Sequence, residues 1–294
     1  MELFLQLLIT GILVGSIYAL VALGWTLIYK SSGVLNLAMG ELTLIGAYVC
    51  LSLYNWGIPF PLAVLGSLLI GAFLGLTLER LVLRPLIGEP VLTVIMVTVG
   101  LSFFFRGLVG LLWGTDTVVF EPPVFPAEPI RLGPIIISPV FLGGFVTSLI
   151  LLGIFVWFFQ TTRWGLAMQA TADDQMAALS LGVSAKFVYA IAWAVAFMAA
   201  GVGGIFLGSI NGLNISVGFL GLLVLPAVVL GGLNSVPGAI VGGLVIGVLQ
   251  NLAGGYLDRF IPGGIKDIFP LAFMAIVLLF KPYGLFGWQK IERV

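Results

Sequence analysis

The chain has 294 residues, of which 61% are hydrophobic and only 8% are charged, whereas soluble domains carry about 25% charged residues. A soluble fold of this length could not bury so much apolar surface, so the composition excludes a soluble globular protein and predicts a chain that crosses a lipid bilayer repeatedly. Its twelve basic and twelve acidic residues cancel, no basic run is present, and there is no histidine, which argues against nucleic-acid partners, metal sites and cofactor chemistry.

Apolar segments separated by charges and Pro/Gly clusters predict an all-α polytopic membrane protein with eight or nine transmembrane helices, since one helix needs roughly 20 apolar residues to cross the bilayer. We interpret the first segment as a retained membrane helix, because no basic residue precedes it and it is longer than the apolar region of a signal peptide. We expect a single transmembrane domain over 1–294, with spans at 5–29, 36–54, 60–79, 91–112, 139–160, 187–210, 219–233, 237–256 and 267–281.

The distribution of basic residues predicts the orientation of these spans. One side carries Lys30, Arg80, Arg84, Arg163, Lys186, Lys281, Lys290 and Arg293, and the other carries only Arg131, Arg259 and Lys266. Because cytoplasmic loops are richer in Lys and Arg, the first set is expected in the cytoplasm and the amino terminus outside. Arg106, which lies inside a span, is expected to snorkel to the external headgroups.

A short internal repeat suggests a duplicated architecture. The sequence Leu-Asn-Leu-Ala-Met-Gly at 35–40 resembles Leu-Asn-Ile-Ser-Val-Gly at 213–218, and each copy opens a long apolar stretch. Matching interrupted segments in two halves of a transporter meet at the substrate path. The repeat therefore predicts a possible internal duplication, with Asn36, Asn214 and Ser216 beside a translocation path.

Glu41 follows the first copy directly and lies at the start of a predicted span. A carboxylate at membrane depth is expensive, so a function is the default expectation. An ion pair, or a favourable position at the start of a helix, is the alternative. Both interpretations stay open, and Glu41 is retained as a candidate for the substrate path. The single cysteine, Cys50, is interpreted as a packing residue.

Two polar segments connect the predicted spans. The external loop 113–138 holds five prolines, Pro122, Pro123, Pro126, Pro129 and Pro134, which exclude a regular helix, and it is either a docking rim or a plain connector. The cytoplasmic loop 161–186 predicts a short exposed helix over 171–182, capped through the spacing of Thr171 and Asp174 and ended by Gly182. Its acidic, small-residue-rich character favours docking into a protein groove over lying on a membrane surface.

A late glycine-rich segment at 231–243 predicts a tight break between two spans, with Pro237 in the first turn of the following helix. The candidate helix-break or gating residues are Gly231, Gly232, Asn234, Pro237 and Gly238. No segment matches the phosphate-binding GxxxxGK[ST] loop, so any ATP-driven transport needs the nucleotide site of separate subunits.

Three segments together resemble LivH-type branched-chain amino-acid ABC permeases. They are Asn-Leu-Ala-Met-Gly-Glu at 36–41, the spaced Gly, Met, Ala and Asp positions from Gly165 to Gly182, and Gly-Gly-Leu-Asn-Ser-Val-Pro-Gly-Ala at 231–239. The resemblance runs in order along nearly the whole chain. One departure is Met39, where the family usually has His.

The resemblance implies a type II importer permease in the bacterial inner membrane that carries branched-chain or related amino acids. It implies a heterodimer with a second, homologous permease, two cytoplasmic ATP-binding subunits and an external solute-binding protein. ATPase coupling would involve Gly165, Ala170, Asp173, Asp174, Ala177 and Gly182. Two alternatives remain open: a urea or short-amide permease of the same family, and an ion-coupled secondary transporter that uses Glu41.

Overall fold

The structure, a computed structural model, describes residues 1–260 and 264–287. Within these residues helices dominate, and one two-stranded sheet is present. A π-helical turn (Glu79–Leu83) and a 3-10 turn (Arg84–Leu86) extend the helix that starts at Phe60. The elements are α1 (Glu2–Ser32), α2 (Met39–Asn55), α3 (Phe60–Leu78), α4 (Val91–Trp113), β1 (Ile130–Leu132), β2 (Ile135–Ile137), α5 (Pro139–Thr161), α6 (Arg163–Asp173), α7 (Gln175–Ser180), α8 (Ala185–Asn211), α9 (Ser216–Leu222), α10 (Leu225–Gly231), α11 (Val236–Leu257) and α12 (Ile265–Phe280).

Within the described residues, six helices are long and apolar enough to cross a membrane: α1, α3 with its extension, α4, α5, α8 and α11. The shorter helices α2 and α12 have 17 and 16 residues. The predicted span 219–233 is instead divided between α9 and α10, of seven residues each. Pro226 explains the division, because it lacks the N–H that would bond to the carbonyl of Leu222 in a continuous helix. The all-α polytopic fold is confirmed.

The long helices differ in how deeply they are buried. Most of the apolar length of α1 and α8 lies inside the protein, whereas α3, α4 and α5 leave most of theirs exposed. Helix α1 packs mainly against α11, α8 and α5, and α2 packs against α8 and α3. Cys50 is fully buried in this core, as expected for a packing residue. The exposed apolar faces of α3, α4 and α5 are suited to contact with lipid or another membrane subunit.

Helices α1 and α11 approach each other through glycines. A Cβ atom on Gly15 would lie 2.8 Å from the Cα of Leu244, and a Cβ on Gly247 would overlap the backbone of Gly15. Gly11 meets Val248 in the same way, at 2.7 Å. In a membrane, where the hydrophobic effect does not drive helices together, such close backbone contact is the main source of attraction. The four-residue glycine spacing in the sequence is thus used for helix packing.

The segment between α4 and α5, which is predicted to be external, contains no helix, as its prolines predict, but it does contain an unpredicted hairpin. Strands β1 and β2 pair antiparallel around Gly133, which has a φ of 64°. The Gln6 amide binds one edge of β2 through a single residue: its Nε2 donates to the Ile136 carbonyl at 2.6 Å, and the Ile136 N–H donates to its Oε1 at 2.8 Å. The start of α1 is thereby tied to this segment.

Two contacts between helix ends agree with the predicted orientation of the spans. Lys30, at the end of α1, lies 5.2 Å from the ring centroid of Phe159 at the end of α5, and both ends are expected in the cytoplasm. At the opposite end, the Tyr54 hydroxyl donates to the Pro122 carbonyl at 2.9 Å. These contacts agree with the alternation of spans, while the sidedness itself stays a prediction. Lys290 and Arg293 lie outside the described residues.

Candidate functional site

The two copies of the internal repeat adopt the same local geometry. In each copy the asparagine side-chain oxygen accepts the N–H two residues later, and the asparagine carbonyl accepts the N–H three residues later. These distances are 3.0 and 3.2 Å at Asn36, and 2.8 and 3.0 Å at Asn214. Such Asx turns interrupt a helix and start another. The sequence match is therefore also a match of backbone structure.

The first break is largely enclosed by the protein: Asn36 and Ala38 are buried, and within 33–38 only Gly33 is exposed. Helix α1 ends at Ser32, Gly33 has a φ of 70°, and α2 begins only at Met39. The Leu37 N–H donates to the Thr98 hydroxyl at 3.3 Å, about two turns into α4. Non-helical backbone at membrane depth is tolerated only where protein or a water-filled cavity surrounds it. The break at 33–38 is therefore an interrupted membrane segment and not a surface loop.

The two breaks meet at equivalent glycines. Gly40 and Gly218 are the last residues of the two copies, and a Cβ atom on Gly40 would overlap the Gly218 carbonyl. A Cβ on Gly221 would lie 2.6 Å from the Cα of Gly40. The start of α2 thus packs directly on α9.

A buried ion pair lies beside this contact. Glu41 is completely buried, and its Oε1 accepts from Arg106 Nε at 3.1 Å and from Arg106 Nη2. The expectation that Arg106 snorkels to the headgroups is wrong. An unpaired carboxylate would be far more costly in this interior, so the guanidinium turns toward Glu41. The alternative reading of Glu41, as an ion-pair partner, is what the structure shows.

Two buried polar side-chain atoms of this segment make no hydrogen bond to another described residue. Glu41 Oε2 and Asn36 Nδ2 are buried without a hydrogen-bond partner in the part of the chain that the structure describes. The guanidinium carbon of Arg106 lies 4.2 Å from the ring centroid of Phe219, whose side chain is exposed. Sequence reasoning missed Arg106 and Phe219 as site residues. The available signal was that Arg106 is the only basic residue placed in the interior of a predicted span, away from its ends.

The predicted path residues differ in exposure. Asn36 and Glu41 are buried, Asn214 is partly buried and Ser216 is exposed. The Asn214 Nδ2 donates to the Thr117 hydroxyl at 3.1 Å, which ties this break to the external loop. The structure therefore brings the two repeats together through Gly40 and Gly218, with Asn214 on the side of the contact that faces the segment between α4 and α5.

The segment between α5 and α8, residues 162–184, forms an exposed elbow of two short helices. Thr162 caps α6 by accepting the Gly165 N–H at 3.0 Å. Gly165 is buried, and a Cβ atom there would overlap the backbone of Phe158 and lie 2.6 Å from the Cα of Phe159. Close packing of α6 on the end of α5 therefore needs glycine at this position. Ala170 and Asp173 are exposed farther along α6.

The predicted single helix over 171–182 is wrong. Thr171 belongs to α6, where its hydroxyl donates to the Ala167 carbonyl at 2.8 Å. Asp174 is instead the cap of α7, because its Oδ1 accepts the Ala177 N–H at 3.0 Å. Its extended backbone also separates the two helices. Helix α7 is ended by Gly182 as predicted: this residue has a φ of 85°, and its N–H donates to the Leu179 carbonyl at 3.0 Å. Helix α8 starts after Ser184.

The elbow presents a mixed acidic and apolar surface. Asp173, Asp174, Ala177 and Gly182 are exposed, and Met176 is 74% exposed. Large apolar side chains next to carboxylates, on a segment outside the long apolar helices, are typical of a surface that another protein covers.

The late glycine-rich segment forms the predicted tight break. Gly231 and Gly238 touch, since a Cβ atom on either would overlap the carbonyl of the other. Ser235 caps α11 by accepting the Gly238 N–H at 3.1 Å, and Pro237 lies in the first turn. Gly232 has a φ of 103°, and Asn234 lies in the turn between α10 and α11. The chain near Leu285 also pairs with the end of α10. The break is therefore held by contacts with the start of α11 and with the segment near Leu285.

Comparison with known proteins places the chain among transport proteins. Residues 7–278 match the family described as the branched-chain amino acid transport system permease component. The chain is 32% identical to the high-affinity branched-chain amino acid permease protein LivH of Salmonella typhimurium (strain LT2), and 31% identical to BraD of Pseudomonas aeruginosa. Each alignment covers 99% of this chain and 98% of the relative.

One solved structure shares the fold. PsaBC from Streptococcus pneumoniae in complex with Fab matches with a TM-score of 0.50 and 14% sequence identity, covering 94% of this chain and 91% of that chain. At this identity the likeness concerns the fold alone.

Proposed function

The chain belongs to the branched-chain amino acid transport permease family, and we propose that it carries branched-chain or closely related amino acids across the membrane. The meeting of two interrupted helices at Gly40 and Gly218, beside the buried Glu41–Arg106 pair, is the observation that carries the proposal. Interrupted helices that meet inside a transporter provide backbone and side-chain groups to a solute at membrane depth.

The wider context follows from the family. The chain is a permease subunit of an ABC importer with a type II importer-like fold, and a multi-pass protein of the inner, or plasma, membrane. Its relatives are transport permeases that act with ATP-binding and solute-binding components. We propose that two ATP-binding subunits hydrolyse ATP for this chain, that a second, homologous permease completes a heterodimer, and that residues 1–294 form one permease domain.

The substrate path in this proposal includes Asn36, Glu41, Asn214 and Ser216. Asn214 and Ser216 lie toward the external loop, and Asn36 and Glu41 lie deeper. A solute released from an external binding protein would meet Ser216 first, because that residue is exposed. Movement of α9 against α2 would then open the deeper part of the path. The break at Gly231, Gly232, Asn234, Pro237 and Gly238 would act as a hinge for α10 and α11.

Coupling to ATP hydrolysis is assigned to the elbow. Its exposed carboxylates and apolar side chains suit a groove in an ATP-binding subunit, and α6 packs directly on the end of α5 through Gly165. A displacement of the elbow would therefore reach the long helices α5 and α8 without a flexible linker between them. Gly165, Ala170, Asp173, Asp174, Ala177 and Gly182 are the proposed coupling residues.

The rival functions receive less support. A secondary transporter would use Glu41 as an exchangeable proton or cation site, but Glu41 is engaged by Arg106. A urea or short-amide permease needs no opposite charges at its path, since such solutes are neutral. The ion pair instead suits a solute that carries both charges.

Uptake by the reconstituted complex tests the proposal. The chain is co-expressed with the proposed second permease and ATP-binding subunits and placed in proteoliposomes with the proposed solute-binding protein. We expect radiolabelled leucine to accumulate only when ATP is present on the side of the membrane that carries the ATP-binding subunits. We expect no accumulation of urea. Urea uptake without leucine uptake would support the amide permease, and gradient-driven leucine uptake by this chain alone would support the secondary transporter.

A further inference from the structure

We propose that Glu41 and Arg106 form a transient binding site for the zwitterionic head of the amino acid, with Glu41 holding the α-ammonium group and Arg106 the α-carboxylate. The inference rests on the proposed function, because it takes an amino acid as the solute. It adds the groups that recognise the solute inside the membrane and the reason that they are paired when no solute is bound.

The geometry of the pair leaves bonding capacity on both partners. Arg106 approaches only one carboxylate oxygen, Glu41 Oε1, through Nε and Nη2. The other oxygen, Oε2, is buried and has no hydrogen-bond partner among the described residues. A bidentate pair, in which the guanidinium donates to both carboxylate oxygens, would have satisfied Oε2. An ammonium group has three donors, and one of them could reach Oε2 while Oε1 still faces the guanidinium.

Arg106 is the complementary half of the site. A guanidinium has five N–H donors in a planar fork that matches a carboxylate, and its side chain remains 25% exposed while that of Glu41 is fully buried. The carboxylate of a solute that arrives from the exposed side would therefore meet Arg106 first. Once it binds there, the ammonium group on the adjacent carbon is held within reach of Glu41.

Phe219 covers the guanidinium and controls access to it. Its ring centroid lies 4.2 Å from the guanidinium carbon, and Phe219 is 53% exposed, so the ring would have to turn outward for a solute to reach Arg106. The neighbouring Gly218 packs closely on the carboxylate, because even a Cβ atom there would lie only 3.3 Å from Glu41 Oε1. Both residues belong to α9, so movement of α9 would open and close the site.

Charge balance explains the selectivity of such a site. The ion pair and a zwitterion are each neutral, so every buried charge keeps an opposite partner when they combine. A solute with only an ammonium or only a carboxylate group would leave one buried charge without compensation, which is strongly unfavourable. The site would therefore reject singly charged analogues of the same size and shape by leaving a group unpaired.

Thermal stability of the assembled importer, without its binding protein, tests the inference. We expect leucine, in excess over its dissociation constant, to raise the unfolding midpoint by roughly 2 °C or more. Leucinamide, which lacks the carboxylate, and 4-methylpentanoate, which lacks the ammonium group, should raise it by less than half as much at equal concentration. Equal shifts for all three compounds, or no shift with leucine, would overturn the proposal.

Variants separate this site from any other leucine site. In the double variant Glu41→Leu/Arg106→Met an apolar pair replaces the charges, so we expect assembly to persist and the leucine-specific shift to vanish. Arg106→Lys keeps the charge but loses the fork, and should weaken the shift even if the double variant fails to assemble. Glu128→Gln, on the exposed external segment, is the matched control and should keep the full shift. A full leucine shift in Arg106→Lys or in the assembled double variant contradicts the inference.

Failure of this inference is distinguishable from failure of the proposed function. If the wild-type complex accumulates leucine with ATP but leucine causes no specific shift of the unfolding midpoint, the proposed function is supported and the zwitterion site is contradicted. If the complex accumulates no amino acid at all, the proposed function falls, and this inference falls with it.

Discussion

Gly40 and Gly218 occupy equivalent positions in the two repeats, and they pack so closely that the Gly218 carbonyl leaves no space for a side chain on Gly40. The contact joins the two helix breaks and fixes the distance between Glu41 and Phe219. The relative position of α2 and α9 therefore depends on the absence of one methyl group.

Gly40→Ala should destabilise the chain. The new methyl group would overlap the Gly218 carbonyl, and overpacking of this kind costs about 1–3 kcal/mol. We expect a lower midpoint in detergent thermal unfolding and reduced leucine uptake. Gly153→Ala in α5 is the control, since nothing lies within 4 Å of its Cβ position. Equal midpoints for the two variants would show that the α2–α9 contact adapts.

Removing one member of the buried pair should be more harmful than removing both. Glu41→Gln leaves Arg106 without its counter-charge, and losses of about 3 kcal/mol are typical when a buried pair is broken on one side. The double variant Glu41→Leu/Arg106→Met should recover most of this loss. A double-mutant cycle of unfolding midpoints over Glu41→Leu, Arg106→Met and the double variant measures the coupling. Strictly additive single effects would contradict the ion pair.

Asp174 should matter as a helix cap more than as a charge. Asp174→Ala removes the acceptor for the Ala177 N–H, which costs about 1 kcal/mol of local helix stability, and should lower leucine transport per ATP hydrolysed several-fold. Asp174→Ser keeps a capping oxygen without the charge, so its coupling should stay closer to that of the wild type. If Asp174→Ser uncouples as strongly as Asp174→Ala, the charge and not the cap is responsible.

Gly182 should tolerate asparagine better than alanine. Its φ of 85° is a left-handed conformation, which costs a non-glycine residue roughly 1–2 kcal/mol and costs asparagine least. Nothing lies within 4 Å of its Cβ position, so a steric clash is not involved. We expect Gly182→Ala to lower ATP-coupled uptake more than Gly182→Asn in proteoliposomes. The reverse order would point to a contact with the ATP-binding subunit instead.

The sequence was sufficient for the helical, membrane-spanning fold, because long apolar runs and the charges between them are local properties of the chain. It also predicted the helix breaks at both repeats, because each asparagine forms its Asx turn with residues only two or three positions away. The partner of Glu41 could not be predicted in this way. Arg106 lies 65 residues later in the chain, and its direction depends on how α4 packs beside α2.

The errors in the elbow and the external segment have a similar origin. Thr171 and Asp174 both carry side chains that can cap a helix, and local spacing did not distinguish them. The choice of Asp174 follows from the packing of α6 against α5, which keeps Thr171 within a helix. The β1–β2 hairpin was missed because the prolines around it indicate irregular structure, whereas Gln6, from the far end of the sequence, holds β2 in place.

The account depends on the elbow facing the cytoplasm, where ATP-binding subunits can reach it. The direct measurement is the labelling of Met176→Cys with a membrane-impermeant maleimide, in a Cys50→Ala background that removes the only other thiol. Glu128→Cys, on the external segment, is the control. We predict that Met176→Cys resists the reagent in spheroplasts and reacts in inverted vesicles stripped of ATP-binding subunits, while Glu128→Cys reacts in spheroplasts. Labelling of Met176→Cys in sealed spheroplasts would contradict the account.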